Sequence, residues 1–346
     1  MDLTIPFEEV GLREQLGVIL PAWFAAEVPA AQIETLLRET LAGSQRLCLP
    51  HHLVLVTDGC PLAAEVATRL QDEWEAESGA PFVLLALEAN AGKGGAIAAG
   101  LRHLLTPAGP PYLLTRDSDG DHQVSDMARL FRLATQMAAE QQTDLVAVIG
   151  GRQSLHRPMG WLRGELEGWL DEVATAAWQF ALARQGLVLD TAYWAAYGPL
   201  ADIESGCKLF SAAAGRRARE GLEREHAAHP DLDLLRWGCE LIPLTEVVLA
   251  GGVVGEMRRM TYEGQPVSGY EGADGVRLYA NQFAWLARRL ELTQVQAATL
   301  LDNALLRRPL WSEPRGRELA LQIRAQVLET LPGPPAPEQI HASLFI

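Results

Sequence analysis

The sequence predicts an α/β fold: a mostly parallel central sheet flanked by helices, with an added helical region at the C-terminal end. Three observations lead there. Short apolar runs alternate with amphipathic stretches of helical spacing through the first 150 residues, the pattern of successive βαβ units. Polar or glycine-rich turns follow three of these runs, at Asp58, at Asn90 to Lys93 and at Asp117 to Asp119. After Gly275 the apolar residues recur only at helical spacing, as far as Leu331.

The elements follow in order. Gly17 to Ala22 (GVILPA) is a first strand ended by its proline, and Ala30 to Leu41 has helical spacing. His52 to Thr57 (HLVLVT) is a buried-strand pattern that stops at Asp58-Gly59, a turn pair. Leu62 to Glu77 is an amphipathic helix and Pro81 to Leu87 a third strand. Gly94 to Leu105 is a helix, Tyr112 to Thr115 a fourth strand, Ser125 to Glu140 a helix, and Leu145 to Ile149 a fifth strand.

The second half is more helical. Gly160 to Arg184 carries Trp161, Leu162, Leu166, Trp169, Leu170, Val173, Ala177 and Trp178 at three- and four-residue spacing. That stripe reads as core-facing, the other reading being an acceptor or interface face. Asp202 to Phe210 (DIESGCKLF) is a loop entering a short strand, and Leu232 to Leu249 a helix broken at Pro243. Val253 to Tyr262 is extended, Gly275 to Leu331 is helical with an interruption near Arg308-Pro309, and LPGPPAPEQ is a linker or a surface wrap. There is no internal repeat and no heptad pattern.

Composition narrows the function. The chain has 346 residues, 48% hydrophobic and 21% charged, which suits a globular protein with a substantial core. A net charge of −15 argues against nonspecific binding to nucleic acid or to an anionic membrane. A nucleotide diphosphate remains compatible, since it needs only local positive charge. Cys48, Cys60, Cys207 and Cys239 are scattered without a C-x-x-C pair, as expected of free thiols in a reducing compartment. The acidic start and the absence of any long apolar run predict a soluble, cytoplasmic protein.

Two stretches suggest chemistry. Asp117-Ser118-Asp119 sets two carboxylates at a strand end. Their mutual repulsion is relieved by a divalent cation such as Mg²⁺ or Mn²⁺, which commonly brings substrate phosphates; a simple polar turn is the competing reading. Asn90-Ala91-Gly92-Lys93-Gly94-Gly95 joins a strand to a helix. Glycines, a helix N-terminus and a lysine there suit a phosphate or a base, although a glycine-rich turn has the same composition. Neither G-x-x-x-x-G-K-[ST] nor G-x-G-x-x-G is present. Asp58 can accept from a ribose hydroxyl or a base, or cap a helix.

Taken in order, LGVILPAW, HLVLVTDGC, EANAGKGGAIAAGLRH, RDSDGDHQVSDMARL, VIGGRQ, ESGCKLF and GCELIPLTEVVLAGGVVGEM resemble the segments of family 2 glycosyltransferases of the GT-A fold. The resemblance is especially to the branch containing dolichyl-phosphate mannosyltransferase. The matches run from about Leu16 to Tyr270, three quarters of the chain. The resemblance implies a GT-A domain over 1–274, with a nucleotide-sugar half at 16–150 and an acceptor half at 151–274, and leaves 275–346 as a helical extension. It implies a UDP- or GDP-sugar donor bound by Asp58, Asn90, Gly92, Lys93, Asp117, Arg152 and Arg157. A Mg²⁺ or Mn²⁺ ion would be held by Asp117 and Asp119, and a general base supplied by Glu240 or Asp202. The acceptor would be a small molecule or a lipid phosphate, and a homodimer is compatible with the reading.

The chain departs from the pattern at PAWFAAE, where the family has P-x-Y-N-E, and at T-D-G-C in place of D-D-G-S. It also lacks the membrane helices of many relatives. A retaining GT-A branch that makes soluble products such as glucosylglycerate uses a D-S-D motif with a downstream histidine ligand, for which His226 or His229 is placed. A sugar-phosphate nucleotidyltransferase and a degenerate, non-catalytic transferase domain are the other readings. The former lacks its G-G-x-G-T-R-L start between Gly17 and Glu27.

Overall fold

The computed structural model describes residues 11–157, 159–194, 200–260 and 274–340. Its centre is a seven-stranded sheet: β1 (Leu16–Ala22), β2 (Leu53–Asp58), β3 (Val83–Leu87), β4 (Tyr112–Thr115), β5 (Val146–Gly151), β6 (Lys208–Ser211) and β7 (Val253–Arg258). The spatial order is β3-β2-β1-β4-β6-β5-β7. β6 runs antiparallel to β4 and β5, and every other pairing is parallel. From β1 the chain winds outward to β2 and β3, then returns to β4 on the other side of β1. Strand order therefore reverses between β1 and β4, the position beyond whose carboxyl ends ligands bind in open α/β sheets.

The helices are α1 (Leu12–Gln15), α2 (Ala30–Leu41), α3 (Pro61–Ser78), α4 (Lys93–Leu104), α5 (Val124–Gln141), α6 (Trp161–Ala183), α7 (Ala212–Ala228), α8 (Leu234–Trp237), α9 (Leu241–Leu249), α10 (Gly275–Arg289), α11 (Gln294–Leu305), α12 (Pro309–Ser312) and α13 (Pro314–Glu329). Side chains alternate across the strands, so two apolar layers form. Val18, Leu20, Leu55, Leu114, Val148 and Leu209 share a core with α2, α3 and α5. Ile19, Val54, Val56, Leu113, Ile149 and Phe210 share the other with α4, α6, α7, α9 and the C-terminal helices. Burial on both faces explains why β1, β2, β4 and β5 read as apolar runs, whereas the edge strand β3 is only partly buried.

The tryptophan stripe of α6 is core. Trp169 and Trp178 are fully buried, and their indole N–H groups donate to the Leu301 carbonyl at 3.1 Å and to Thr245 Oγ1 at 3.0 Å. Only Trp161, at the start of the helix, is substantially exposed among these three. Phe283 of α10 lies 4.7 Å from Trp169, ring centre to ring centre. The C-terminal helices thus complete the second layer, and their apolar residues are continuous with the sheet core. The proline-rich tail wraps the surface: Arg324 Nη2 donates to the Pro337 carbonyl and Gln294 Nε2 to that of Leu331. No helix among the described residues is long and apolar enough to cross a membrane.

Three features depart from expectation. α7 has no counterpart in the sequence pattern, because its buried positions are Ala214, Gly215, Ala218, Gly221, Leu222 and Glu225, too small and polar to make an apolar stripe. The break in 232–249 falls at Gly238 to Glu240 and not at Pro243, which sits in the first turn of α9, where a missing N–H costs no intrahelical bond. β7 ends at Arg258; Arg259 and Met260 follow outside the strand, and Thr261 and Tyr262 lie outside the described residues.

Candidate functional site

Lys93 is the first residue of α4, and its ammonium lies between two carboxylates. Nζ is 2.7 Å from Asp117 Oδ1 and 2.8 Å from Glu240 Oε1. Asp117 comes from the turn after β4, and Glu240 from the break that begins α9. Three segments well separated in sequence thus meet beyond the carboxyl end of β4. Burial alone raises the Asp117 carboxyl, but Lys93 and His122 outweigh it and hold it well below the usual carboxylate range. Burial likewise raises Glu240, and the ammonium groups of Lys93 and Lys208 overcome it, leaving its carboxyl below the ordinary glutamate value. Both acids are therefore carboxylates at neutral pH.

The turn itself is closely tied. The Asp117 N–H donates to His122 Nδ1 at 3.1 Å, which makes that ring nitrogen an acceptor. The Asp121 N–H donates to Asp119 Oδ1 at 3.2 Å. The polar turn and the paired acids are thus one object. A Cβ on Gly206 would collide with Asp117 Oδ2, so only glycine lets the β6 entry loop pass this carboxylate.

Asp58, Asn90 and Gly92 knit the end of β2 to the start of α4. Asp58 Oδ1 accepts from the Ala91 N–H at 2.7 Å, and Asn90 Oδ1 from the Gly92 N–H at 3.0 Å. Burial pushes the Asp58 carboxyl up, against those backbone donors. Gly92 has φ +81, and a Cβ there would lie 2.7 Å from the Leu235 carbonyl oxygen of α8. The glycine thus admits α8, the element that leads to Glu240. Gly92→Ala should cost well over the ~1 kcal/mol of an ordinary helix-end change, because positive φ and the clash add. Urea unfolding checks this, and a loss under about 0.5 kcal/mol, the scatter of surface substitutions, contradicts it.

Several expected site residues are engaged elsewhere. Arg152 and Asp202 are both buried, at 4% and 6% exposure. The Arg152 backbone N–H donates to Asp202 Oδ2 at 2.7 Å, its Nε and Nη2 reach the same carboxylate, and Nη1 donates to Glu167 Oε2 at 2.6 Å. Burial raises the Asp202 carboxyl, but Arg152 prevails and holds it low. The phosphate contact expected of Arg152 and the base role expected of Asp202 give way to a buried ion pair in which each satisfies the other. Arg157 is exposed, and its backbone N–H donates to Ser154 Oγ.

His229 Nε2 faces Glu225 Oε2 at 3.6 Å, and that glutamate also takes the Trp285 indole N–H at 3.0 Å. His226 is exposed on α7. The expected metal set of Asp117, Asp119 and His229 does not converge: no cluster of three or more His, Cys, Asp or Glu with the geometry to hold a metal occurs among the described residues. A cation there would rest on the two aspartates and on oxygens from its ligand.

Lys208, His122, Gly206 and Cys239 belong to this centre, although no sequence motif gave them a role. Lys208 is 2% exposed and its ammonium donates to the Ser205 carbonyl. Burial pushes it below the ordinary lysine value, with Glu240 and Glu204 opposing. It shares a small cavity behind Lys93 with Ile97, Thr115, Phe210, Glu240 and Pro243. The period-2 alternation of β6 was the available signal, since Lys208 and the core residue Phe210 lie on one face. The Cys239 thiol donates to Glu240 Oε2 at 2.7 Å.

The arrangement offers a cation at a helix start, two carboxylates on an adjoining turn, and an ionised glutamate beside both. No protein-family model matches the chain, and no curated protein matches it significantly.

Proposed function

We propose that this protein is a metal-dependent glycosyltransferase of GT-A type, moving a sugar from a nucleoside diphosphate sugar to a hydroxyl or phosphate acceptor. The observation that supports it most is Lys93 held between Asp117 and Glu240 beyond β4. It lies at the strand-order reversal, where open α/β sheets bind ligands. A lysine there can exchange a carboxylate contact for a diphosphate oxygen, at the N-terminus of a helix that favours anions.

Asp117 and Asp119 suit a Mg²⁺ or Mn²⁺ ion, which commonly takes one or two carboxylates and fills its remaining positions with water and phosphate oxygens. When bound, such an ion neutralises charge on the departing nucleoside diphosphate. Asp117 is 31% exposed at its side chain and so accessible from solvent. Asp58 and Asn90 keep the α4 start in place for the nucleotide. Glu240 is the base this reading favours over Asp202: it is ionised, and its partner Lys93 is a mobile point charge, whereas Asp202 is clamped by a guanidinium fork. It would accept the proton of the acceptor hydroxyl.

The direct test is thermal unfolding with UDP-, GDP-, ADP- and CDP-sugars, each with Mn²⁺ or with EDTA. A ligand at a hundred times its Kd stabilises the folded state by about 2.7 kcal/mol. A shift that requires Mn²⁺ and disappears in Asp119→Asn is the expected result. An equal shift in EDTA overturns the metal role, and no shift with any donor overturns the reading.

A further inference from the structure

The segment Asp202 to Gly206 backs Asp117, and α10 meets it from the C-terminal side. Two side chains at that contact each lack one hydrogen bond. Glu204 is 8% exposed and Gln282, on α10, 1%. Gln282 Nε2 donates to Glu204 Oε2 at 3.3 Å. The other two oxygens, Glu204 Oε1 and Gln282 Oε1, are buried without a hydrogen-bond partner among the described residues. Both are acceptors, so an ionised Glu204 leaves both unsatisfied, a costly state in a protein interior. One proton changes this. On Oε1 it turns an orphan acceptor into a donor, and the amide oxygen of Gln282 is an acceptor in want of one.

We infer that Glu204 is held as a neutral carboxylic acid in a reciprocal pair with Gln282, and that this pair makes α10 a positioning element for the loop beside Asp117. Acid and amide then each give and take one hydrogen bond. The pair adds an anchor from the C-terminal helices to those the loop already has. Ser205 Oγ donates to the Gly150 carbonyl at 2.6 Å, and the Ile203 N–H to Asp171 Oδ1 at 3.1 Å. Gly206, two residues on from Glu204, is the residue that passes Asp117.

The charges around Glu204 favour the neutral form. Burial pushes its carboxyl up to about 8, aided by Glu240 at the start of α9 and Glu167 on α6, while Lys208 on β6 and the Gln282 amide act in the opposite direction. Asp171, also on α6, is raised by burial, Asp202 and Glu204, against Arg152. Lys93 of α4 reaches Glu240 and Asp117, so its charge is already matched by two carboxylates.

The sign of the pH effect follows. The unfolded chain loses this proton near the ordinary value of 4.5 and the folded chain near 8. Ionisation therefore opposes folding, and the contribution of Glu204 to stability declines as pH rises from 4.5 to 8, then levels off. Glu204→Gln supplies an uncharged partner with N–H in place of O–H, so the reciprocal pair persists at every pH. The Tm difference, Glu204→Gln minus wild type, is expected to widen by several degrees between pH 5 and pH 8 and to stay constant above. An infrared difference spectrum at pH 7 should assign a protonated-carboxyl C=O band to wild type that Glu204→Gln lacks. Gln282→Leu should shift that band toward the frequency of an unpaired acid. A Tm difference independent of pH, a spectrum without the band, or a band unmoved by Gln282→Leu each overturns the pairing.

Discussion

Arg152→Met should lower stability by about 3–5 kcal/mol, the usual cost of removing one partner from a buried ion pair. The guanidinium serves two buried acids, Asp202 and Glu167. Asp171 and Glu204 lie in the same region with their carboxyls already pushed up, so neither can give up further charge to relieve the loss. Methionine preserves volume and leaves Asp202 a buried carboxylate whose only escape is to take up a proton. In wild type the Asp202 carboxyl is held low. Its contribution is present above the unfolded value near 3.8 and is lost as pH falls through the lower folded value. In the variant the folded carboxyl moves above the unfolded value, so the gap from wild type should be wide at pH 7 and narrow at pH 4.5. Urea unfolding at both pH values measures it. Arg152→Lys should recover only part of the loss, because a point charge cannot replace a planar fork. Arg157→Ala, on the exposed loop, should stay within about 0.5 kcal/mol. A gap below about 1 kcal/mol, the ceiling for exposed pairs, or one equal at both pH values, contradicts the geometry.

Lys93→Met should weaken nucleoside diphosphate binding by roughly tenfold to a hundredfold, the range for losing one charge-assisted hydrogen bond. Its effect on folding should be about 1–3 kcal/mol, because Lys93 and Asp117 are 29% and 31% exposed and partly screened, while Glu240, 5% exposed, keeps Lys208 as a second cation. The pH dependence is the sharper readout. Without the ammonium, the Glu240 carboxyl loses a principal cause of its depression and rises. A rate that depends on ionised Glu240 should then have its acid limb displaced to higher pH. Calorimetric titration with UDP and GDP in Mn²⁺, together with a pH–rate profile, distinguishes a phosphate ligand from a structural cation. Unchanged affinity and an unmoved acid limb would assign Lys93 to structure alone.

Local pattern reached most of the sheet but little of the ion pairing. β1, β2, β4 and β5 were legible because strands covered on both faces must be apolar throughout, and β3, a partly exposed edge strand, is apolar in sequence as well. The direction of β6 was not legible, since four residues in a strand look the same in either sense and only pairing with β4 and β5 sets it. α7 escaped because close packing of small residues leaves no hydrophobic period to detect. Within the site, Asp117, Lys93 and Asp58 stood out by lying at strand ends. The partners of Arg152 did not: Asp202 is fifty residues away in sequence, and nothing local reveals that an arginine is tied to a buried acid. Gly92 suggests room for a phosphate, and the approach of α8 to it was not legible, because a glycine records close approach without recording what approaches.

The sharing of one core by the sheet and the C-terminal helices bears on how the chain is made. A ribosome adding roughly 5–20 residues per second finishes β7 several seconds before α13 emerges. The α2, α3 and α5 side can close on the sheet as soon as β7 is paired. On the opposite side α4, α6, α7 and α9 are already made, but the outer face of α6, with Trp169, waits for partners such as Phe283. The last helix made, α13, lays Ile323 and Val327 into that same core. Premature stops after β7 should therefore leave α6 without its outer cover and yield a product that aggregates or is degraded during synthesis.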